Sequence, residues 1–257
     1  MAATPLFDSL AEGYDRWCET PLGRLTDECE RAALQRLLPA PVTGLEVLDV
    51  GCGTGTWALR LAELGARVSA VDVSPAMVSV AAHKSTQARL PVNFTVADGT
   101  DLPFPSASFD LVTALLVLEF AGDQERVVGE MARVLRPGGN LIIAALNRRS
   151  IWTLRRRLEG RRRPTVYNQA RFLTHSELDG LLSPVGLTPL ARGAAVYYPP
   201  LASVAVGPLL RLLEAVGQRG WGAGPAFIAV RAGKLLAARP PGSRLQQSSD
   251  GGRSHDR

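Results

Sequence analysis

The stretch Leu45–Thr56, LEVLDVGCGTGT, leaves this chain few folds to choose from. Leu45–Val50 is a short apolar run with β-branched residues, the pattern of a buried strand. Gly51-Cys52-Gly53-Thr54-Gly55 follows, and Thr56–Leu64 (TWALRLAEL) then carries apolar residues at helical spacing. Strand, glycine turn and helix begin a β-α-β unit. Glycines let backbone approach a ligand, and a helix N-terminus offers it unpaired N–H groups. A plain turn would not need three glycines in five residues, because each carries an entropy cost. The spacing G-x-G-x-G also departs from the G-x-G-x-x-G of dinucleotide-binding folds, since Thr56 stands where the last glycine would be.

Further units follow. Ala66–Val71 reads as a second strand ending at Asp72, 21 residues after Gly51. A carboxylate there is placed to accept both hydroxyls of a ribose. Ser74 and Pro75 suit the N-cap and first position of a helix, with Met77 on its first turn. Val92–Val96 reads as a third strand leading to Asp98-Gly99, where an acceptor-only carboxylate suits a donor N–H, or simply forms a turn. Phe109–Leu116 is a fourth strand, buried on both faces, and Val117–Phe120 enters a loop. Asp123–Leu135 is an amphipathic helix stopped by Arg136-Pro137-Gly138-Gly139, and Asn140–Leu146 is a fifth strand. Thr174-His175-Ser176-Glu177 is a capping box. Leu187–Tyr198 and Pro225–Ala232 read as the last two strands, with Leu201–Val216 an apolar, partly helical excursion between them. This order argues an α/β, doubly wound sheet with helices on both faces. Its ligand would sit at the carboxyl ends of the strands, where Gly51, Asp72, Asp98 and Leu116 converge.

With Asp49 before its glycines, LDVGCGTG resembles motif I of the class I S-adenosylmethionine-dependent methyltransferases. Ala97-Asp98-Gly99 with Leu102-Pro103-Phe104-Pro105 is similar to their motif II, and EMARVLRPGG resembles the turn before their fifth strand. The likeness is strong over Leu45–Leu146, looser in the flanks, and points to the type-11 branch, which includes quinone-biosynthesis methyltransferases. It implies a Rossmann-like, seven-stranded, mostly parallel sheet with an antiparallel last strand. It implies S-adenosylmethionine as cofactor and S-adenosylhomocysteine as product. The cofactor contacts would come from Asp49, Gly51, Cys52, Gly53, Gly55, Asp72, Val73, Met77, Asp98, Gly99, Leu115, Leu116 and Tyr14. Asp72 would hold the ribose, Asp98 the adenine amino group, and Met77 would lie near the adenine face, unless it is plain core.

The acceptor implied is a small molecule, often lipophilic, and no metal is expected. Because the sulfonium is already activated, aligning the reactants and excluding water carry most of the transfer. Many relatives have a histidine pair after the fourth strand. Here Glu119 and Phe120 stand there, which removes the easiest general base. Glu119 and His175 are the catalytic candidates, with Tyr14 and Tyr167 behind them. The alternatives are that Glu119 caps the helix near Asp123 and that His175 only starts one. Ile151, Trp152, Phe172, Tyr197 and Tyr198 are candidates to line an apolar acceptor pocket, or serve as ordinary core.

Residues 1–41 are expected to form a helical cap. Phe7, Leu10, Tyr14 and Trp17 fall at roughly helical spacing, and Arg24–Leu38 is a better helix, stopped by Pro39 and Pro41. YDRW followed by PLG resembles the cap of small-molecule methyltransferases, which implies a lid. Static packing at the sheet edge is the alternative. Residues 42–235 form the main domain, with helical insertions about 148–183 and 199–224, and the polar, Gly- and Ser-rich tail 236–257 is expected to be disordered.

Three cysteines without disulfide or metal spacing, no bilayer-length apolar run and no secretion signal suit a reducing cytoplasm. The net charge is +5, yet Arg148–Arg163 holds eight arginines and one acid, 8 − 1 = +7, so the rest sums to 5 − 7 = −2. So local a cluster suits an anionic acceptor or an anionic membrane surface. The alternative function is a methyltransferase-like binding protein at a membrane surface or on nucleic acid. Nucleic acid fits poorly, because the cluster lacks interleaved aromatics apart from Trp152.

Overall fold

The computed structural model describes residues 7–201, 207–220 and 224–235. The tail expected to be disordered, and part of the 199–224 excursion, lie outside the described residues. Seven strands form one sheet: β1 (Glu46–Val50), β2 (Arg67–Asp72), β3 (Val92–Val96), β4 (Phe109–Leu115), β5 (Leu135–Leu146), β6 (Leu187–Ala195) and β7 (Phe227–Lys234). The spatial order is β3-β2-β1-β4-β5-β7-β6, and β7 runs antiparallel to both its neighbours. The sheet is thus doubly wound, with the order reversing at β1 and β4, as the sequence pattern and the resemblance implied.

Strand alternation gives the sheet two buried faces. Leu48, Val50, Val112, Ala114, Ile143 and Val230 point to one, where they meet Val127, Val128 and Met131 of α5 (Gln124–Val134) and Leu178 and Leu182 of α7 (His175–Leu182). Val47, Leu111, Ile142, Ala144, Phe227 and Ala229 point to the other. There they pack on α2 (Pro21–Gln35), through Leu25, Ala33 and Leu34, and on α3 (Thr56–Glu63), through Trp57, Ala58 and Leu61. α4 (Pro75–Ala88) follows β2, capped as expected by Ser74, whose Oγ accepts from Met77 N at 3.1 Å.

β6 ends at Ala195 rather than Tyr198 and β7 runs Phe227–Lys234 rather than Pro225–Ala232; three further differences from expectation are larger. α2 starts at Pro21 rather than Arg24, because Thr20 caps it by accepting from Gly23 N at 3.0 Å and Pro21 sits at the first helical position. β5 begins at Leu135 rather than Asn140. Leu135 pairs with Phe109, the segment Arg136-Pro137-Gly138-Gly139 bulges outward, and pairing resumes at Leu111 and Asn140. The aromatic spacing of Phe7–Trp17 does not make one continuous helix. It gives a short 3-10 helix, Asp8–Gly13, and one turn, α1 (Arg16–Glu19), which leave Leu10, Tyr14 and Trp17 partly exposed.

Candidate functional site

The carboxyl ends of β1, β2 and β4 meet around the glycine turn. Gly51, Gly53 and Gly55 all have positive φ, at 69°, 52° and 77°, but for different ends. A Cβ on Gly51 would sit 2.3 Å from Val117 Cγ2, and one on Gly55 would sit 2.9 Å from Ala81 Cβ, so these two let protein pack on protein. A Cβ on Gly53 would meet no protein atom within 4 Å. This glycine keeps the front of the turn clear. The turn is tied to β2 by Gly51 N and Cys52 N, which both donate to Val71 O, at 2.7 and 2.9 Å. Cys52 is half-buried, with Sγ 3.7 Å from Gly53 O. α3 begins beyond Gly55, which offers no side-chain cap, so its first N–H groups have no side-chain partner from that position.

Asp72 closes the turn from the side. Its Oδ2 accepts from Gly53 N at 2.8 Å and its Oδ1 from Ser74 N at 2.9 Å. Burial pushes this carboxyl up, and those two N–H groups pull it back. Each oxygen is therefore aimed by one backbone donor and keeps a lone pair for another. Asp49 lies beneath, buried, accepting from Thr113 Oγ1 at 2.6 Å, and burial raises it to about 7. Beside Asp72, Val73 and Val96 are each 50% exposed, and Val96 is the β3 partner of Asp72. Two apolar side chains in water next to an aimed carboxylate are what a flat ligand would cover. Val96 was not picked out in sequence, where it reads as an ordinary strand residue. Its position at the strand end, two before Asp98, was the available signal.

Asp98 is exposed, and its Oδ1 accepts from Thr100 N and Thr100 Oγ1 at 2.8 and 2.9 Å, so the turn-forming role is real. Gly99 packs between Val50 and Val127, 3.4 Å from each for an added Cβ. Met77 is buried, on the core side of α4. Leu115 ends β4, and Leu116 takes φ +59°, which costs a non-glycine residue about 1–2 kcal/mol. Leu116 is held there by its N–H, which donates to Ala144 O at 2.9 Å.

Leu116 opens onto a chamber of about 470 Å³. Phe7, Leu10, Glu12, Tyr14 and Arg16 line it from the N-terminal segment, Phe120 from the loop after β4, Leu146 from the end of β5, and Tyr167 from a 3-10 turn, Val166–Asn168. Phe7 meets Phe120 edge to face at 4.9 Å, and Tyr167 stacks on Phe172 at 6.4 Å. Burial pushes the Tyr14 hydroxyl up. The N-terminal segment is fastened to the glycine turn. Asp15 accepts from Thr54 Oγ1 at 2.7 Å and from Lys84 Nζ at 2.8 Å, and Asp8 accepts from Ser74 Oγ.

Glu119 sits behind the chamber wall, 1% exposed. Its Oε1 accepts from Leu146 N, and Oε2 has no partner among the described residues. Burial raises it to about 7. It is not the cap of α5: that is Asp123, which accepts from Arg126 N at 2.9 Å. His175 is placed elsewhere. It is the first residue of α7, behind the Thr174–Glu177 capping box, and lines a separate cavity of about 230 Å³ with Arg36, Arg192 and Tyr197. The structure does not bring it to Asp72 or Glu119.

Residues 48–143 match a family model described as a methyltransferase domain. Over these residues the chain is similar to that family. Over 151 residues it is 37% identical to a demethylmenaquinone methyltransferase of Clavibacter sepedonicus, covering 59% of this chain and 60% of that protein. Over 147 residues it is 37% identical to a ubiquinone biosynthesis O-methyltransferase of Xanthomonas axonopodis pv. citri, covering 55% and 60%. The matches thus span about 60% of the length of these relatives. Among solved structures, a SAM-dependent methyltransferase from Thermotoga maritima aligns with TM-score 0.69 at 22% identity, covering 89% of this chain and 98% of that one. A magnesium protoporphyrin IX methyltransferase from Synechocystis with bound SAH aligns with TM-score 0.63 at 18% identity, covering 90% and 97%. At these identities the structural likeness is one of fold.

Outside the matched segment, the fold is extended by α6 (Ile151–Arg162), which carries most of the arginine run. The run is not one uniform face. Arg148 pairs with Glu177 at 2.9 Å and Arg155 with Glu159 at 2.8 Å, while Arg156 and Arg157 lie over aromatic rings. Of the residues expected to line the acceptor pocket, Trp152, Phe172 and Tyr198 are buried core instead. Trp152 Nε1 donates to Tyr198 O at 2.7 Å, and the Tyr198 hydroxyl meets Thr26 Oγ1 of α2, which locks both inside. Ile151 faces out, and Tyr197 lines the His175 cavity.

Proposed function

We propose that this chain is an S-adenosylmethionine-dependent methyltransferase that acts on a small, largely apolar, ring-bearing acceptor. The observation that carries the reading is Asp72, whose two oxygens are aimed by the N–H groups of Gly53 and Ser74 beside a glycine with open space in front of it. In this reading Asp72 accepts from the ribose hydroxyls, Asp98 from the adenine amino group, and Val73 and Val96 cover the adenine faces. Asp49 and Cys52 support the turn from below, and Met77 is part of the packed floor. When bound, the cofactor supplies a methyl group activated by its positively charged sulfur. Leu116, Phe120 and Tyr14 then exclude water and fix the acceptor in line. Glu119, behind the wall with Oε2 unpaired among the described residues and its carboxyl raised to about 7, is the candidate to take a proton from the acceptor. The N-terminal segment, tied through Asp8 and Asp15, acts as the lid.

The curated relatives are named for methylating quinone precursors, and the chamber walls, Phe7, Phe120 and Tyr167, suit a flat ring. On α6, Ile151, Leu154 and Leu158 are exposed beside arginines, which supports docking at an anionic lipid surface that holds an apolar acceptor. No described helix is long and apolar enough to cross a membrane. Calorimetry with S-adenosylmethionine, S-adenosylhomocysteine and NAD tests the central reading: the first two bind and the third does not. Labelled-methyl transfer into polarity-sorted metabolite fractions then finds the acceptor. Tight NAD binding without a signal from adenosylmethionine would overturn the reading.

A further inference from the structure

Arg156 does not behave like a surface arginine. Its guanidinium carbon lies 5.4 Å from the Trp152 ring centroid and 4.6 Å from that of Tyr167. Tyr167 is itself a wall of the acceptor chamber. Stacking on rings stabilises the cation but satisfies none of its N–H donors. Nη1 is buried and has no hydrogen-bond partner among the described residues. A buried donor of this kind is costly unless something accepts from it.

Two acids lie close enough for the Arg156 charge to act on them, Glu30 of α2 and Glu119. Neither forms an ion pair with Arg156, and burial raises both carboxyls, Glu30 to about 8 and Glu119 to about 7, which weakens their hold on the guanidinium. Arg155, one residue away, is by contrast paired with Glu159 and donates to Pro200 O. A stacked, partly desolvated guanidinium with an unused donor behind a chamber wall is suited to bind an oxyanion, because its planar fork matches one and the low dielectric strengthens the contact.

We propose that Arg156 is the specificity-determining residue of the acceptor chamber, recognising an anionic oxygen group, a carboxylate or an ionised ring hydroxyl, on an acceptor whose ring lies against Tyr167 and Phe120. This rests on the methyltransferase reading for the word acceptor, but binding can be measured without turnover. The full chain, saturated with S-adenosylhomocysteine, is titrated with 2-naphthoate, 4-nitrophenolate and methyl 2-naphthoate, followed by calorimetry and tryptophan fluorescence. At least one anion binds about tenfold or more tighter than the neutral ester, and the anion preferred names the source of the charge. Arg156→Gln removes that preference and leaves S-adenosylhomocysteine affinity unchanged, while Arg156→Lys restores part of it. Equal binding of ester and anions, no anion binding at millimolar concentration, or an unchanged preference in a folded Arg156→Gln each overturn the proposal. If Arg156→Gln fails to fold, the wild-type ratio of anion to ester and the Arg156→Lys variant decide. Loss of S-adenosylhomocysteine binding in the wild type would instead refute the cofactor reading, and the probe titration is then read on the free protein.

Discussion

In the proposed reading, the two halves of the site are built differently. On the cofactor side, the contacts stay within one β-α-β unit and every donor is a backbone N–H: Gly51 N and Cys52 N donate to Val71 O, and Gly53 N and Ser74 N donate to Asp72. On the acceptor side, the walls are side chains from segments far apart, Phe7 and Tyr14, then Leu116 and Phe120, then Leu146, then Tyr167. Backbone geometry tolerates little change, whereas a wall of ring edges can be repacked. The cofactor side should therefore be brittle and general, the acceptor side adaptable and specific. That is the division a family needs if it keeps one methyl donor and changes acceptors.

The sharpest way to break this contrast is Asp72→Ala. Two charge-assisted hydrogen bonds to a ribose are worth roughly 1.5–3 kcal/mol each, so S-adenosylhomocysteine affinity should fall at least about tenfold. Phe120→Ala should leave that affinity almost unchanged while weakening acceptor binding. Calorimetry on both variants checks the pair, and an unchanged dissociation constant in a folded Asp72→Ala removes Asp72 from the site.

The glycines sharpen the comparison within the cofactor side. Both Gly51→Ala and Gly53→Ala force a side chain into positive φ, a strain of roughly 1–2 kcal/mol. Gly51→Ala adds a Cβ 2.3 Å from Val117 Cγ2 and should lose stability well beyond that strain. Gly53→Ala meets no protein atom, so its main loss should be in cofactor affinity. Melting curves and titrations of the two variants should rank in opposite orders.

The same division explains what could be read from sequence. LDVGCGTG, Asp72 and the Ser74–Pro75 helix start are local patterns, and strand alternation fixes which residues face the helices. The doubly wound order followed from them, while the antiparallel β7 was implied by the resemblance alone. The acceptor side resisted because its contacts are set by tertiary packing. Asp15 and Lys84 are 69 residues apart, and neither has a pattern that names the other. Glu119 was singled out only because a familiar histidine pair is missing. Its burial against Leu146 N comes from how β5 runs beside the loop. Trp152 and Tyr198 look like pocket walls by composition, yet they lock onto each other in the core. His175 carries suitable chemistry but belongs to a helix on another cavity.

The acceptor side also has a pH signature. Burial raises Glu119 from 4.5 to about 7, so the folded state holds a proton that the unfolded chain releases earlier. Its contribution to stability is complete below about pH 4.5, is lost as pH rises towards 7, and is flat above that. The slope is at most about 1.4 kcal/mol per pH unit. Glu119→Gln still accepts from Leu146 N through its amide oxygen but does not titrate. Urea unfolding across this range should show a smaller loss of stability with rising pH in the variant. Parallel curves for the two proteins would mean that Glu119 ionises normally. Acids held low by partners, such as Asp110 beside Arg136 and Glu130 beside Arg133, titrate below this window and drop out of the comparison.

The smallest expected effect lies at the join between the halves, where the N-terminal segment crosses the glycine turn. Lys84 bridges them, donating to Asp15 at 2.8 Å and to Thr56 Oγ1 at 2.9 Å. The pair is partly exposed, with side chains 28% and 43% accessible, so it is worth no more than about 1 kcal/mol. Lys84→Met should lower S-adenosylhomocysteine affinity by less than about fivefold, since 1.4 kcal/mol is tenfold. It should have a clearer effect on motion. If the segment is a lid, amide exchange across residues 7–17 slows when S-adenosylhomocysteine is added to the wild type, and Lys84→Met exchanges faster in both states. Asp15 also accepts from Thr54 Oγ1 at 2.7 Å and Asp8 accepts from Ser74 Oγ, so the segment keeps two ties and should loosen rather than detach. High salt should mimic the variant, because an exposed pair is screened while the Thr54 contact is not. Exchange that is already slow without ligand, and unmoved by Lys84→Met, would make the segment a fixed wall of the chamber and erase the difference in mobility between the two halves.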